Sequence, residues 1–269
     1  MKYDPIKRSL GNIFNKHPFL RKLFYRLLDL LLLRAWHIKK VIRSWKKGHR
    51  GATSILDAGS GFGQYSYYLS NQSKKWKITG VDVKTEQIDD CNRFFKQIGK
   101  SEQVVFEYAD LTKFNKPGQY DLILSVDVME HILEDVEVFK NFYAALKDGG
   151  MVLISTPSDQ GGSDVHEHDG HSFVEEHVRD GYGVQEIEEK LKIAGFSKTE
   201  SAYSYGTPGK ISWRLSMKWP ILMLNTSKLF FIILPIYYVL AFPISYVLNW
   251  MDVCSKHKTG TGLIVKAYK

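Results

Sequence analysis

Three glycines at alternate positions, Gly59, Gly61 and Gly63, follow Ile55, Leu56 and Asp57 in the run ILDAGSGFG. Glycines at this spacing allow a tight strand-to-helix turn and let backbone N–H groups approach a ligand that a Cβ would hold off. Asp82, 19 residues after Gly63, ends the apolar segment KITGVD. A carboxylate placed there can accept both hydroxyl hydrogen bonds of a ribose, so the two features together read as a loop for a nucleotide-type cofactor. The dinucleotide fingerprint GxGxxG is not met, because Gln64 stands where its third glycine belongs. That weighs against a nicotinamide-dependent oxidoreductase.

Further polar groups follow in order. YADL carries Asp110, and the apolar run YDLILSV leads into Ser125-Val126-Asp127-Val128-Met129-Glu130-His131. Asp127, Glu130 and His131 are groups that can take a proton from a hydroxyl. A second concentration lies at residues 164–177, where His166, His168, His171 and His177 accompany Asp164, Glu167, Asp169, Glu175 and Glu176. His166 and His168 are candidate bases there, whereas the absence of a thiolate and of a settled histidine pair argues against a zinc centre.

The DAGSGFG loop, GVD, YADL, the DVMEH strip and LKDGGMVLI, in this order and spacing, resemble the class I S-adenosylmethionine (SAM) methyltransferases over most of residues 55–196. The strip at Asp127, Glu130 and His131 is similar to that of ubiquinone-biosynthesis O-methyltransferases, which more often carry Glu at the first acidic position. The resemblance implies that Gly59, Gly61 and Gly63 lie along the methionine part of SAM, Asp82 on its ribose and Asp110 on its adenine amino group. It also implies that Asp57 orients the loop or meets the amino group of SAM, and that Ser125 joins the cofactor-binding set. In the ubiquinone-type enzymes such a strip is associated with a metal that orients a catechol-like substrate; a structural or positioning role is the alternative.

These residues have to be held by alternating strands and helices. The hydropathy pattern predicts strands at 54–57, 77–81, 104–108, 121–126 and 151–155, with helices at 64–70, 86–98 and 134–146 between them. A helix at 184–194 and strands at 197–205 and 262–269 complete the series. The expected class is α/β: a Rossmann-like seven-stranded sheet with helices on both faces, an N-terminal amphipathic helix and a helical hydrophobic insertion. The expected organisation is an arm at 1–50, a SAM-binding core at 51–206, the insertion at 207–259 and the final strand of the core at 260–269.

The 269 residues, 44% hydrophobic and 25% charged, suit a globular protein with a sizeable core. Cys91 and Cys254, far apart, form neither a disulfide framework nor a CxxC site, which fits a reducing cytoplasm. The net charge of +8 is uneven: residues 1–50 hold 14 Lys and Arg against Asp4 and Asp29, a balance of +12, leaving 23 against 27 acids in the remainder. Interleaved with Leu23, Leu27, Trp36 and Trp45, these cations make a basic amphipathic helix expected to adsorb to anionic lipid. Nucleic acid is a weaker rival partner, and capping of the cofactor cleft a further role. The apolar run at 27–33 is short, broken by Asp29 and followed by Arg34, unlike a secretory signal.

Residues 229–251 carry no charge over a length that can span a bilayer. Pairing of the last two strands, however, returns both ends of the insertion to one side. Pro235 and Pro243 are expected to interrupt the helix, and Trp213, Trp219, Tyr237, Tyr238, Tyr246 and Trp250 to sit at the lipid interface. A monotopic or re-entrant element at the cytoplasmic face of a membrane is therefore expected, with a lipophilic acceptor and O-methylation of an aromatic or prenylated hydroxyl. C-methylation of a quinone precursor, methylation of another lipid, and a non-catalytic SAM-binding scaffold of a membrane complex are the alternatives.

Overall fold

The computed structural model describes residues 17–161, 178–227 and 229–269. The chain begins with α1 (Pro18–Leu31) and α2 (Leu33–Lys46), then alternates β1 (Thr53–Ala58), α3 (Gln64–Ser70), β2 (Trp76–Asp82), α4 (Thr85–Gln97) and β3 (Val104–Tyr108). It continues through β4 (Tyr120–Val126), α5 (Asp135–Ala145), β5 (Leu146–Pro157), α6 (Val184–Ile193) and β6 (Lys198–Ser204). Next come α7 (Thr207–Trp213), a π-helical turn (Arg214–Lys218), α8 (Trp219–Thr226), α9 (Phe230–Cys254) and β7 (Gly262–Tyr268).

One seven-stranded sheet has the order β3-β2-β1-β4-β5-β7-β6, and β7 runs antiparallel to both of its neighbours. The central strands are uninterrupted apolar runs because helices cover both faces. Side-chain alternation divides them: Leu56 and Ile123 enter the layer containing Phe139, Phe142 and Ile187, whereas Ile55, Leu122 and Leu124 face Trp76, Phe95, Ile38 and Ile42. Ala35, Ile38 and Ile42 of α2 are fully buried at helical spacing, so this part of the basic arm is a core helix. The arm is also not one helix. An extended residue, Leu32, with φ −89° and ψ 108°, separates α1 from α2.

The strand order reverses between β1 and β4, which puts a crevice at their carboxyl ends. Ser204 of β6 pairs with Gly262 of β7, and Gly262 pairs with Pro157 of β5. Both ends of the segment between β6 and β7 therefore emerge at the carboxyl end of the parallel strands, beside that crevice.

Pro235 and Pro243 lie inside α9 rather than ending it. Each proline removes one backbone donor, and with seven residues between them the helix continues through the intervening turns. One stripe of α9, Leu234, Ala241, Ser245, Asn249 and Asp252, is buried, while Phe231, Ile232, Ile236, Val239, Leu240, Ile244 and Val247 are exposed. Tyr237 and Tyr238, expected at a lipid interface, instead donate to the carbonyls of Leu215 at 2.6 Å and Ser216 at 2.7 Å. Those carbonyls lie in the π-helical turn, whose bonding pattern departs from the α-helical ladder.

Candidate active site

The glycine loop connects β1 to α3 with Gly59, Gly61 and Gly63 at φ 75°, 49° and 75°. Gly59 and Ser60 donate to the Val81 carbonyl, both at 2.9 Å, which folds the loop over β2. A Cβ on Gly59 would stand 2.3 Å from Val128 Cγ2, whereas at Gly61 it would meet nothing within 4 Å. The first position is thus needed for packing, and the second borders open space. Asp82 braces the loop: one carboxylate oxygen accepts from the Gly61 N–H at 3.0 Å and the other from the Lys84 N–H at 2.9 Å.

Asp57 is buried beneath the loop and accepts from the Ser66 hydroxyl at 2.6 Å. Burial raises its carboxyl pKa to about 6. Asp110 Oδ1 receives both the Thr112 hydroxyl, at 2.7 Å, and the Thr112 N–H, at 3.0 Å. These bonds hold its pKa below the usual carboxylate value, and Oδ2 keeps only a distant contact with Lys113 at 3.9 Å. Ser125, in register with Ala58 across the crevice, has a buried hydroxyl without a hydrogen-bond partner among the described residues, as does Ser60.

Past β4, Asp127 adopts φ 51°, a left-handed conformation uncommon for a residue with a side chain. Its N–H donates to Ser155 at 2.8 Å and its carboxylate pairs with Arg34 at 2.5 Å. Glu130 is buried and accepts from the Thr156 hydroxyl at 3.1 Å. His131 lies half-buried in the turn that follows, its N–H on the Val128 carbonyl at 3.0 Å. Among the described residues no three His, Cys, Asp or Glu side chains are grouped to hold a metal. His166, His168 and the rest of the 164–177 concentration lie outside the described residues.

Burial, with Asp127 adding to it, raises the Glu130 pKa to about 8. A carboxyl that the fold keeps neutral contributes stability below its unfolded pKa and loses that contribution as pH rises through the folded value. Glu130→Gln is therefore expected to be more stable than the parent by about 1–3 kcal/mol at pH 9, with a much smaller difference near pH 5. Thermal unfolding at the two pH values measures it.

Several groups at the crevice were not legible as site residues. From α1, Arg21 donates to the Phe62 carbonyl at 2.9 Å and approaches Asp90 at 3.5 Å, while the Tyr25 hydroxyl donates to the same Phe62 carbonyl. Gln64, next to the loop, donates to Asp29 at 2.8 Å, and Asp29 also pairs with Lys39 at 2.5 Å. The Arg34 N–H donates to the Tyr205 hydroxyl at 3.1 Å. The buried hydroxyl of Tyr65 has no hydrogen-bond partner among the described residues; burial raises its pKa, the charge of Arg34 opposes the shift and that of Asp127 adds to it. Asp29 breaking an apolar run was the available signal; the arginines resembled ordinary solvent-facing cations.

Residues 56–152, which contain the loop, Asp82, Asp110 and the strip after β4, match a family described as a methyltransferase domain. The matched segment is a methyltransferase domain, in the fold of the class I SAM-dependent enzymes. Phosphoethanolamine N-methyltransferase 1 of Zea mays is 31% identical over 53% of this chain and 28% of its own length. Malonyl-[acyl-carrier protein] O-methyltransferase 1 of Ilyobacter polytropus is 24% identical over 45% of this chain and 44% of its own. The chain thus spans less than half the length of these curated relatives. Among solved structures, the methyltransferase domain shares its fold with Haemonchus contortus phosphoethanolamine N-methyltransferase 2 in complex with S-adenosyl-L-methionine. The TM-score is 0.59 at 20% identity, covering 81% of this chain and 49% of that one. A SAM-dependent methyltransferase from Aquifex aeolicus aligns with a TM-score of 0.53 at 18% identity, covering 75% and 93%.

Proposed function

We propose that this chain transfers a methyl group from SAM to a lipophilic acceptor at an anionic membrane surface, the acceptor being a hydroxyl on an aromatic or prenylated molecule. The observation that carries the reading is the Ser204–Gly262 pairing, which roots the apolar segment at the same sheet end as the glycine loop. An acceptor dissolved in lipid would then meet the crevice where it leaves the bilayer.

The residues present suit SAM. Open space borders Gly61, the buried hydroxyls of Ser60 and Ser125 have no hydrogen-bond partner among the described residues, and each Asp82 oxygen retains a lone pair after its backbone bond. When bound, SAM supplies a methyl already activated on a sulfonium. The protein's own work is to orient the acceptor and receive its proton, for which the His131 imidazole and the Asp127 carboxylate are the groups at the end of β4, while Glu130, kept neutral by burial, is placed to position rather than to accept the proton.

The membrane reading is supported by exposed apolar residues on α9, a helix long and apolar enough to cross a membrane and buried along one stripe. Charge supports it as well. Residues 207–259 hold six Lys and Arg against Asp252 alone, and that acid is fully buried.

The test is incubation of the full chain with methyl-labelled SAM and total lipid from its own host. Label in the organic phase is expected. An unlabelled extract from protein that binds SAM would replace the reading with a soluble acceptor or a scaffold, and a labelled amine would move the acceptor to the class named for the maize relative. Asp82→Ala is expected to weaken S-adenosylhomocysteine binding about 30-fold or more, because the loop brace and two acceptor oxygens go together; calorimetric titration measures it, and an unchanged affinity removes Asp82 from the cofactor site.

A further inference from the structure

Helix α1 has two working faces. Inward, Arg21 and Tyr25 are buried and both donate to the Phe62 carbonyl in the middle of the glycine loop, with Phe24 and Leu28 half-buried beside them. Outward, Phe19, Leu23, Leu27 and Leu30 form a stripe at helical spacing, exposed by 74%, 39%, 40% and 40%. Lys22 and Arg26 belong to the same helix, in the arm where cations outnumber acids 14 to two. An apolar stripe flanked by cations on a surface helix matches one occupant, the interface of an anionic bilayer.

A 14-residue helix is marginal in isolation, so α1 depends on what it docks against. Its docking rests on a narrow inner face, where Arg21 and Tyr25 bond the Phe62 carbonyl and Tyr25, Phe24 and Leu28 pack on the core beside Tyr67 and Phe94, so α1 is an element able to open by itself. Arg21 and Tyr25 shape the loop only while α1 is docked.

We propose that α1 is a lipid-responsive strap: entry of its outer stripe into an anionic bilayer holds its inner face on the Phe62 carbonyl and so tightens the cofactor site. The inference rests on the membrane reading above and adds to it a coupling between lipid and cofactor. Arg21 and Tyr25 are positioning residues in this scheme, acting on SAM through the loop. Because coupling free energies are reciprocal, SAM must in turn strengthen adsorption to the bilayer by the same factor.

The experiment measures S-adenosylhomocysteine affinity of the full chain in buffer, with phosphatidylcholine vesicles, and with phosphatidylcholine vesicles containing phosphatidylserine, alongside vesicle flotation. Affinity about tenfold tighter on the anionic vesicles is expected, with a matching gain in flotation when S-adenosylhomocysteine is saturating. Leu23→Ser/Leu27→Ser, at exposed positions, should match the parent in buffer and lose the gain on vesicles. Flotation with unchanged cofactor affinity overturns the strap and leaves the membrane reading standing. Failure to float overturns both. A full gain retained by the double variant overturns the assignment of this face, and the reciprocal measurement on the parent decides the coupling without any substitution.

Discussion

Gly59→Ala is expected to abolish useful cofactor binding, lowering S-adenosylhomocysteine affinity by about two orders of magnitude or more. Two costs coincide at this residue. Its φ of 75° is a conformation in which a Cβ meets the following carbonyl, at roughly 1–2 kcal/mol. The new methyl would also fall 2.3 Å from Val128 Cγ2, a distance that cannot persist, so either the loop or the start of the strip carrying Asp127 has to move. Displacement by 1 Å at either place is enough to undo alignment of a methyl donor with its acceptor. Pairing the change with Val128→Ala separates the terms: the steric part should be recovered and the backbone part should not, a coupling that calorimetry on the four proteins resolves. Gly61→Ala should behave differently, because only the backbone cost applies where a Cβ meets nothing within 4 Å.

The contrast between these glycines shows what sequence reasoning can reach. Alternate glycines after an apolar strand identify a loop, and alternating apolar runs identify the sheet, because both are patterns within a few neighbouring residues. The predicted strands at 104–108 and 121–126 coincide with β3 and nearly with β4. The exception, β5, starts five residues before the predicted 151, since Asp148-Gly149-Gly150 resembles a turn yet lies within a strand whose pairing with β4 shifts register between Tyr120 and Leu122. What the pattern could not supply is the arm's inward half. Arg34 reaches Asp127 and Tyr205, the second of these 171 residues away, and Arg21 reaches the loop 41 residues on. A cation in an amphipathic stretch has the same local signature whether it faces solvent or a distant carboxylate, and only the tertiary fold distinguishes the two. Asp252, the single acid in an otherwise basic and apolar segment, was a visible anomaly, but its partner His37 is 215 residues away.

Asp252→Ala is expected to lower the unfolding temperature by about 10 °C, from a loss of about 3–5 kcal/mol. This carboxylate is fully buried where α2, α7 and α9 meet. It accepts from the Gly209 N–H at 3.0 Å, and His37 and His257 lie 2.8 Å and 3.2 Å from its two oxygens. The approach is so close that a Cβ on Gly209 would be 2.6 Å from both Asp252 Oδ2 and Leu33 Cδ2. Burial alone would raise its pKa, but the bond from His37, the charges of the two histidines and the Gly209 N–H outweigh burial and hold it below the ordinary aspartate value. A depressed carboxyl pKa contributes stability above the unfolded value and loses it as pH falls through the folded one. The gap between parent and variant should therefore be full at pH 7 and close below about pH 4. Removing the carboxylate takes this acceptor from the buried Gly209 N–H and from the His37 imidazole, while His257 keeps the Asp252 carbonyl at 2.9 Å, a larger loss than the pair's own net worth. Because this junction ties α9 to α2, and α2 carries Arg34 to Asp127, limited proteolysis should cut the α9 region first. Asp252→Asn, which retains an acceptor oxygen for Gly209, should fall between the two. An alanine variant with parental unfolding temperature and protease resistance would show that α9 is anchored elsewhere, through the Tyr237 and Tyr238 bonds to the π-helical turn.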